Sequence, residues 1–525
     1  MNSMITAPQP LAVDAGARVL ADGGNAIDAA VTAAFVQMVV TPRSCGIGGF
    51  GMINLHLAET GQEIMLDFHG KTGSRATPGM WRDLLIEEKQ TGYGYTLENQ
   101  VNEKGYTAVT TPGTVAGLHK VQTEFGTMPW MDVIAPAIEV ATGGFEIAAA
   151  TAKEWQKPPI GSSKSPWVTV GTSPFEGGGA YISNPEMARA FSVVAEGGAE
   201  VFYRGDLAKQ IAEDMERGGG FITLEDLSGY EVTVAEPVCA NYRGFNIASN
   251  QPPGGGLTIL QMLKILEGYD LAGMGHLSAE YIYKVSMAMR AAWVDRANLI
   301  GDPLFVDVPA ADLLSDDRAA EWRQRIDAGE IFQVPRWQPQ ESPDTTHVSV
   351  VDSSGNVMGL THSLGSGADL VTEGLGFMYN NCMNCFNPIP NQVNSIVPGK
   401  SRTTGMAPTL VKIDDKPYFS VGAPGGTRII TGIFHAILNV LDHEMTATEA
   451  IAAPRFDSQG EAVIAHARIA PSICDQVKRR GLQINRSLAA YGGIGSVHGI
   501  RISPSTNALD GGADPGDNGM ALEVS

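Results

Sequence analysis

The sequence predicts a layered α/β fold with buried sheets. Two observations carry that reading. Segments with helical periodicity gather toward both ends, with antiparallel strand signals between them. One early helix-like segment is apolar on nearly every face, which marks burial between layers rather than a surface helix.

That segment runs from Asp22 to Val40, with Asn25 as its N-cap and Asp28 in the first turn, where the helix dipole favours a negative charge. A glycine-rich turn, Cys45-Gly-Ile-Gly-Gly-Phe-Gly51, leads into a strand over 52–57. A second turn-to-helix junction is Thr111-Pro-Gly-Thr-Val-Ala-Gly-Leu-His119, and further helices are expected over 131–142, 204–216, 257–269 and 278–298. The last carries Ile282, Met287, Met289 and Trp293 as a core-facing stripe. Residues 330–344 hold two prolines and several polar side chains in the last nine positions and read as a loop or linker. Thr345-Thr-His-Val-Ser-Val-Val-Asp352, the turn Ser353-Ser-Gly-Asn356 and Val357-Met-Gly-Leu-Thr-His-Ser363 together read as a β-hairpin. Its alternation puts His347, Ser349 and Val351 on one face and Thr346, Val348, Val350 and Asp352 on the other. Strands are expected near 374–379, 408–413 and 417–421, the last leading through Gly422-Ala-Pro-Gly-Gly-Thr-Arg428 into a helix over 429–441.

The bulk numbers agree with a large compact core crossed by tight turns. Among 525 residues, 43% are hydrophobic, 62 are Gly and 18% are charged, against an average of roughly 25% charged. A formal charge of −21 argues against nucleic acid, whose phosphates demand basic patches. No run reaches the roughly 18 unbroken apolar residues that span a bilayer, and the N-terminus has neither a basic nor an apolar leader region, so a cytoplasmic protein is expected. The five cysteines fit a reducing compartment. Cys382-Met-Asn-Cys385 lacks the second ligand pair of a zinc site, and small residues in a packed loop are the plainer reading.

The chemistry centres on Thr345. A threonine hydroxyl is a weak nucleophile that needs a base. If Thr345 becomes the first residue of its chain, its own α-amine, with a pKa of about 7.7–8.0, supplies that base. A linker ending at a strand-initial Thr is what such processing requires, although Thr at a strand start is commonplace.

A series of ordered motifs raises this above the commonplace. Gly23-Gly-Asn-Ala-Ile-Asp-Ala-Ala30, Gly46-Ile-Gly-Gly-Phe50, Thr111-Pro-Gly-Thr-Val-Ala-Gly117, Phe125-Gly-Thr-Met128, Thr345-Thr-His-Val-Ser-Val-Val-Asp352, Asn380-Asn381, Met406-Ala-Pro-Thr409, Pro424-Gly-Gly-Thr-Arg-Ile429, Ala453-Pro-Arg-Phe456 and Gly512-Ala-Asp-Pro515 occur in that order. Together the chain resembles the γ-glutamyltranspeptidase family of N-terminal nucleophile (Ntn) hydrolases over nearly its whole length. The resemblance implies a four-layer αββα sandwich with two antiparallel sheets between helical layers. It implies a proenzyme cut after Asp344 into residues 1–344 and 345–525, which remain together as one Ntn-hydrolase domain. It further implies Thr345 as nucleophile, Ser363 as the hydroxyl that steadies it, and Gly425 and Gly426 as oxyanion donors, work that suits glycine because no Cβ blocks the backbone N–H. No metal, nucleotide or flavin is implied.

The sequence departs from the family where the γ-glutamyl head group would bind. The family's carboxylate-gripping arginine falls on His69, which cannot form the bidentate pair. An asparagine falls on Gly365, a polar residue on Cys382, an aspartate that would meet the amine on Cys385, and a serine pair on Thr404-Gly405. Lys71, Arg75 and Arg402 lie near these positions, and Arg402 is the foremost candidate for a new anion site. The expected reaction is hydrolysis of a small amide outside the γ-glutamyl class, such as oxamate or another small carboxylate amide. The alternatives are a γ-glutamyl transferase or glutathione hydrolase with an unusual clamp, and a non-catalytic member that never processes. The expected partners are the chain's own second fragment and a small-molecule amide, with a higher homo-oligomer left open.

Overall fold

The computed structural model describes residues 1–88, 94–173, 178–334 and 344–525. Two antiparallel sheets lie at its centre. Their strands are β1 (Ser3–Ala7), β2 (Phe50–Leu57), β3 (Gln62–Phe68), β4 (Thr233–Ala235), β5 (Val238–Tyr242), β6 (Phe245–Ser249), β7 (Thr345–Val351), β8 (Val357–Ser363), β9 (Thr409–Ile413), β10 (Lys416–Gly422), β11 (His498–Ile502), β12 (Leu509–Ala513) and β13 (Met520–Val524). The first sheet runs β13-β1-β7-β8-β2-β3-β4 and the second β5-β6-β9-β10-β11-β12.

Helices cover the outer face of each sheet. Against the first lie α1 (Pro10–Ala21) and α2 (Ala26–Val40), and against the second α3 (Gly256–Leu266), α4 (Ala279–Leu299) and α5 (Arg428–Leu441). The result is the four-layer αββα sandwich. Ile27, Phe35 and Val36 of α2 pack in one core with Val348, Val350 and Leu360 of the hairpin. Ile259, Met287 and Ile433 of the opposite helical layer pack with Val411, Phe419 and Val421 of the second sheet. Among the described residues no helix is long and apolar enough to cross a membrane.

The start of α2 shows how the sequence sets these layers. The Asn25 side chain accepts from the Ile27 and Asp28 N–H groups, and Asp28 returns the bond to the Asn25 N–H at 2.8 Å. The same carboxylate accepts from the backbone of Thr127 and Met128, so two motifs a hundred residues apart are joined by one buried acid.

The layer between the sheets changes character along the hairpin. Near its turn, Val351 and Val357 meet Met4, Leu410, Ile500 and Ile502 in an apolar cluster. Toward the open end His347, Ser349 and Thr361 form a buried polar group with Ser420 of the second sheet. Thr345 and Ser363 terminate the hairpin at this polar end. The alternation read from the sequence holds here, since Thr346 faces α2 through a bond to Gln37.

Two expectations need correction or bounding. No strand forms over 374–379; the segment is an irregular loop. Leu375, Phe377 and Tyr379 are buried in alternation, but Gly374 and Gly376, at φ of 85° and 73°, turn the backbone, and only Tyr379 makes an isolated bridge, to Gly48. The linker expected over 330–344 lies mostly outside the described residues, which resume at Asp344. The expected helices at 131–142 and 204–216 appear as Trp130–Gly143 and Asp206–Arg217.

Candidate active site

Strand pairing builds the site as a row. Thr345 is paired with Ser363, and Ser363 with Phe50. One step beyond the Gly51–Phe68 pair, His69 falls beside Phe50, and the two rings sit 4.3 Å apart. Residues in register share a face, so nucleophile candidate, hydroxyl, aromatic ring and imidazole line up across four strands. The shared face is the one toward the second sheet, where the ring of His347 closes against Gly422: a Cβ there would lie 2.1 Å from it.

Thr345 is 9% exposed. Its Oγ lies 3.0 Å from the Ser363 Oγ. The Ser363 hydroxyl donates to the Asp344 carbonyl at 2.7 Å and accepts from the Gly365 N–H at 2.8 Å. With the Ser363 proton committed to Asp344, the Thr345 hydroxyl is left to donate to Ser363. On the other side of the sheet Gln37 anchors the same strands. Its amide nitrogen donates to the Thr346 hydroxyl and the His347 carbonyl, and its oxygen meets His362 Nε2 at 2.8 Å. Burial pushes the His362 imidazole down to about 3 and His347 well below its ordinary value, so both stay neutral beneath the row.

Gly425 and Gly426 form the turn between β10 and α5, with φ of 130° and 59°. The Gly425 carbonyl accepts from the Arg428 N–H. Two motifs brace this turn from behind. Arg455 donates to the carbonyls of Ile494 and Gly495 and pairs with the buried carboxylate of Asp514. The held loop then donates from the Ser496 N–H to the Pro424 carbonyl at 3.1 Å. Gly405 abuts the turn in front: a Cβ there would lie 2.0 Å from the Gly426 carbonyl. A serine at 405 would collide, so the Thr404-Gly405 pair belongs to the local packing.

Of the remaining sequence candidates, His69 and Arg402 lie against Phe50, and Gly365 and Cys382 adjoin Arg402. The Arg402 guanidinium lies 5.1 Å above the Phe50 ring, with the residue 2% exposed. Its Nη2 stands 4.0 Å from the point a Cβ on Gly365 would occupy. Gly365 has φ of 74°, and a Cβ there would also meet Asn381 Oδ1 at 2.4 Å, so an asparagine at 365 does not fit this backbone. His69 is buried, and burial followed by the Arg402 charge drives its imidazole well below the ordinary range. Cys382 and Cys385 open and close a buried 3-10 turn. Burial lifts the Cys382 thiol to about 11, against the opposing pull of Arg402 and Thr110. Thr404 is buried with its hydroxyl accepting from the Met406 N–H at 3.3 Å and its carbonyl held by Arg296. The other two cations point elsewhere. Lys71 donates to the Glu231 carbonyl, and Arg75 pairs with Glu216 at the surface.

Sequence reasoning gave no task to four contributors. Phe50 supplies the floor of the row, which only cross-strand register reveals. Gln37 ties the strands to α2; its signal was a lone amide inside an apolar helix. Asn380 and Asn381 stand side by side in the sequence, and only the fold shows what each holds. The first bonds Thr110 and Gly48, and the second accepts from the Ser366 N–H, fixing the loop that carries Gly365.

Comparison with known proteins shows the family. A family model described as gamma-glutamyltranspeptidase matches residues 12–524. A glutathione hydrolase proenzyme of a Pseudomonas species is 35% identical over 482 residues, 87% of this chain and 82% of that protein. An Acylase ACY 1 proenzyme, also from a Pseudomonas species, is 34% identical over 507 residues, 94% of this chain and 89% of that protein. The crystal structure of a cephalosporin acylase from Bacillus halodurans superposes with a TM-score of 0.86 at 26% identity, covering 99% of this chain and 95% of the other. The chain therefore belongs to the γ-glutamyltranspeptidase family and is an amide-bond hydrolase or acyltransferase of the N-terminal nucleophile type.

Proposed function

We propose that this protein is a self-cleaving amidohydrolase acting through Thr345 on a small amide outside the γ-glutamyl class, of which oxamate is an example. The observation that supports it most directly is the placement of the Ser363 hydroxyl between the Thr345 Oγ and the Asp344 carbonyl. In the precursor, Ser363 polarises the carbonyl that Thr345 attacks. The Thr345 Oγ–H proton passes to the leaving nitrogen, the Asp344–Thr345 C–N bond breaks, and Asp344 is held on Thr345 as an ester. Water then releases Asp344 as a carboxylate, leaving residues 1–344 and 345–525 as two chains.

The new α-amine of Thr345 is the base for each later turnover. It takes the Oγ proton as oxygen attacks the substrate carbonyl, and returns it to the departing amine. The backbone N–H groups of Gly425 and Gly426 receive the developing oxyanion, a task worth about 3–4 kcal/mol for a single donor in such sites. Water resolves the acyl-enzyme. The non-γ-glutamyl assignment draws on the neighbours of Arg402, where Gly365 has no side chain and burial lifts the Cys382 thiol to about 11, so neither brings a negative charge to meet an α-amine.

A denaturing gel and an amide panel test the proposal. Purified protein should run as two fragments split after Asp344, and oxamate or a succinyl or glutaryl amide should be turned over faster than γ-glutamyl p-nitroanilide. A persistent single chain would sink the self-cleavage; γ-glutamyl turnover equal to that of the best other amide would sink the substrate class.

A further inference from the structure

We infer that Arg402 is the specificity-determining residue at the acyl end of the site, binding a carboxylate carried by the acyl group. The inference rests on the reading of Thr345 as nucleophile and adds the substrate class: a monoamide of a short dicarboxylic acid.

Position carries the argument. Phe50 lies directly between Ser363 and His69 in the row, and Arg402 covers its ring at 5.1 Å. The guanidinium reaches the row over Gly365, the residue whose N–H bonds Ser363. Three choices in the sequence make room for it. Gly365 has no Cβ, and its Cβ site is 4.0 Å from Nη2. His69 offers a flat neutral ring against Phe50 rather than a second guanidinium. Cys382 puts a small thiol beside Arg402, which bonds it. The Arg402 Nη1 donates to the adjacent Thr403 carbonyl at 2.8 Å, a local bond that fixes the plane of the fork. A planar fork of fixed orientation is suited to bidentate carboxylate binding, and it keeps its charge at any working pH.

The reach limits the acyl chain. From the Thr345 Oγ the path runs 3.0 Å to Ser363, 2.8 Å to the Gly365 nitrogen, across one residue, and 4.0 Å on to Nη2. Even fully stretched that path spans no more than about 13 Å by standard bond lengths. Attack and ion-pair contacts take roughly 3 Å at either end, which leaves room for an acyl group of up to about five carbons.

The test uses the processed protein with succinyl and glutaryl p-nitroanilides and their neutral counterparts, in which the free carboxylate is a carboxamide. The wild type should favour the carboxylate over its carboxamide partner by at least about 10-fold in kcat/KM. Arg402→Gln should lose about 30-fold or more on the carboxylate substrates, mainly through KM, while the carboxamide substrates change by less than about 3-fold. Arg402→Lys should recover part of the preference. As a measurement independent of turnover, glutarate should raise the melting temperature of the processed wild type and not of Arg402→Gln. Equal losses on charged and neutral substrates, or glutarate stabilisation surviving in Arg402→Gln, would overturn the inference and leave the nucleophile reading intact. A wild type that processes yet cleaves γ-glutamyl p-nitroanilide best would instead overturn the proposed substrate class and the inference with it.

Discussion

The two ends of one row of residues differ in how closely they resemble the family. At the Thr345 end lie the hydroxyl pair, the glycine turn and its Arg455–Asp514 brace, on segments that resemble the family's motifs. At the Phe50 end, the resemblance puts the family's arginine, asparagine and aspartate on His69, Gly365 and Cys385, and Arg402 of another segment lies over the Phe50 ring. The contrast has a physical reason. The reaction end must fit one transition state whatever amide is cut, and angstrom errors there cost orders of magnitude. The acyl end has only to match the substrate, and charge delivered from a different backbone serves as well.

The largest expected effect breaks the reaction end outright. Thr345→Ala should remain a single chain on a denaturing gel and lose about 10⁴-fold or more of amidase activity; a variant still split after Asp344 would refute self-processing. Ser363→Ala should slow both processing and turnover by about 10²–10³-fold, with Ser363→Thr restoring most of the rate because it keeps the hydroxyl. Gly425 holds φ of 130°, which a side chain strains by about 1–3 kcal/mol. Gly425→Ala should therefore cut kcat by about 10-fold or more with a smaller change in KM. His69→Arg sharpens the contrast from the other side. With Gly365, Cys382 and Cys385 in place, it should raise γ-glutamyl p-nitroanilide turnover by less than about 10-fold, because the amine is still unmet. A gain beyond about 100-fold would show that His69 alone sets the substrate class.

Acid should reveal the same asymmetry. The hairpin under Thr345 rests on His362, held neutral at about 3, and nearby His498, held at about 4. Against an unfolded value near 6.5, these depressed values give stability that is fully present above about pH 6.5. It is lost as pH falls toward the folded values, because the unfolded chain then binds protons that the fold refuses. Each imidazole should give up about 1 kcal/mol per pH unit across that window, readable as a falling melting temperature between pH 6.5 and 4.

The reaction end was legible in the sequence because its information is local. The hairpin announces itself by period-two alternation about a Ser-Gly-Asn turn, and α2 by its Asn25 cap. The acyl end was legible only as a set of losses, with Arg402 singled out from three candidate cations. That Arg402 lies over Phe50, while Lys71 and Arg75 face away, depends on how segments more than three hundred residues apart meet. The strand expected over 374–379 failed for a related reason. Alternating Leu375, Phe377 and Tyr379 report burial, and burial alone does not make a ladder when left-handed glycines intervene.

The strand order of the first sheet has a consequence for the order of events in the life of the molecule. Strands from before and after Asp344 alternate across it: β13, then β1, then β7 and β8, then β2 to β4. Neither fragment can assemble its share alone, since β7 would lack one neighbour and β2 another. Folding must therefore come first and the cut second. Once made, the cut leaves two chains woven through a common sheet, with no surface along which they could be peeled apart and exchanged. Mixing two differently tagged, already cleaved preparations should accordingly yield no hybrid unless both are fully unfolded.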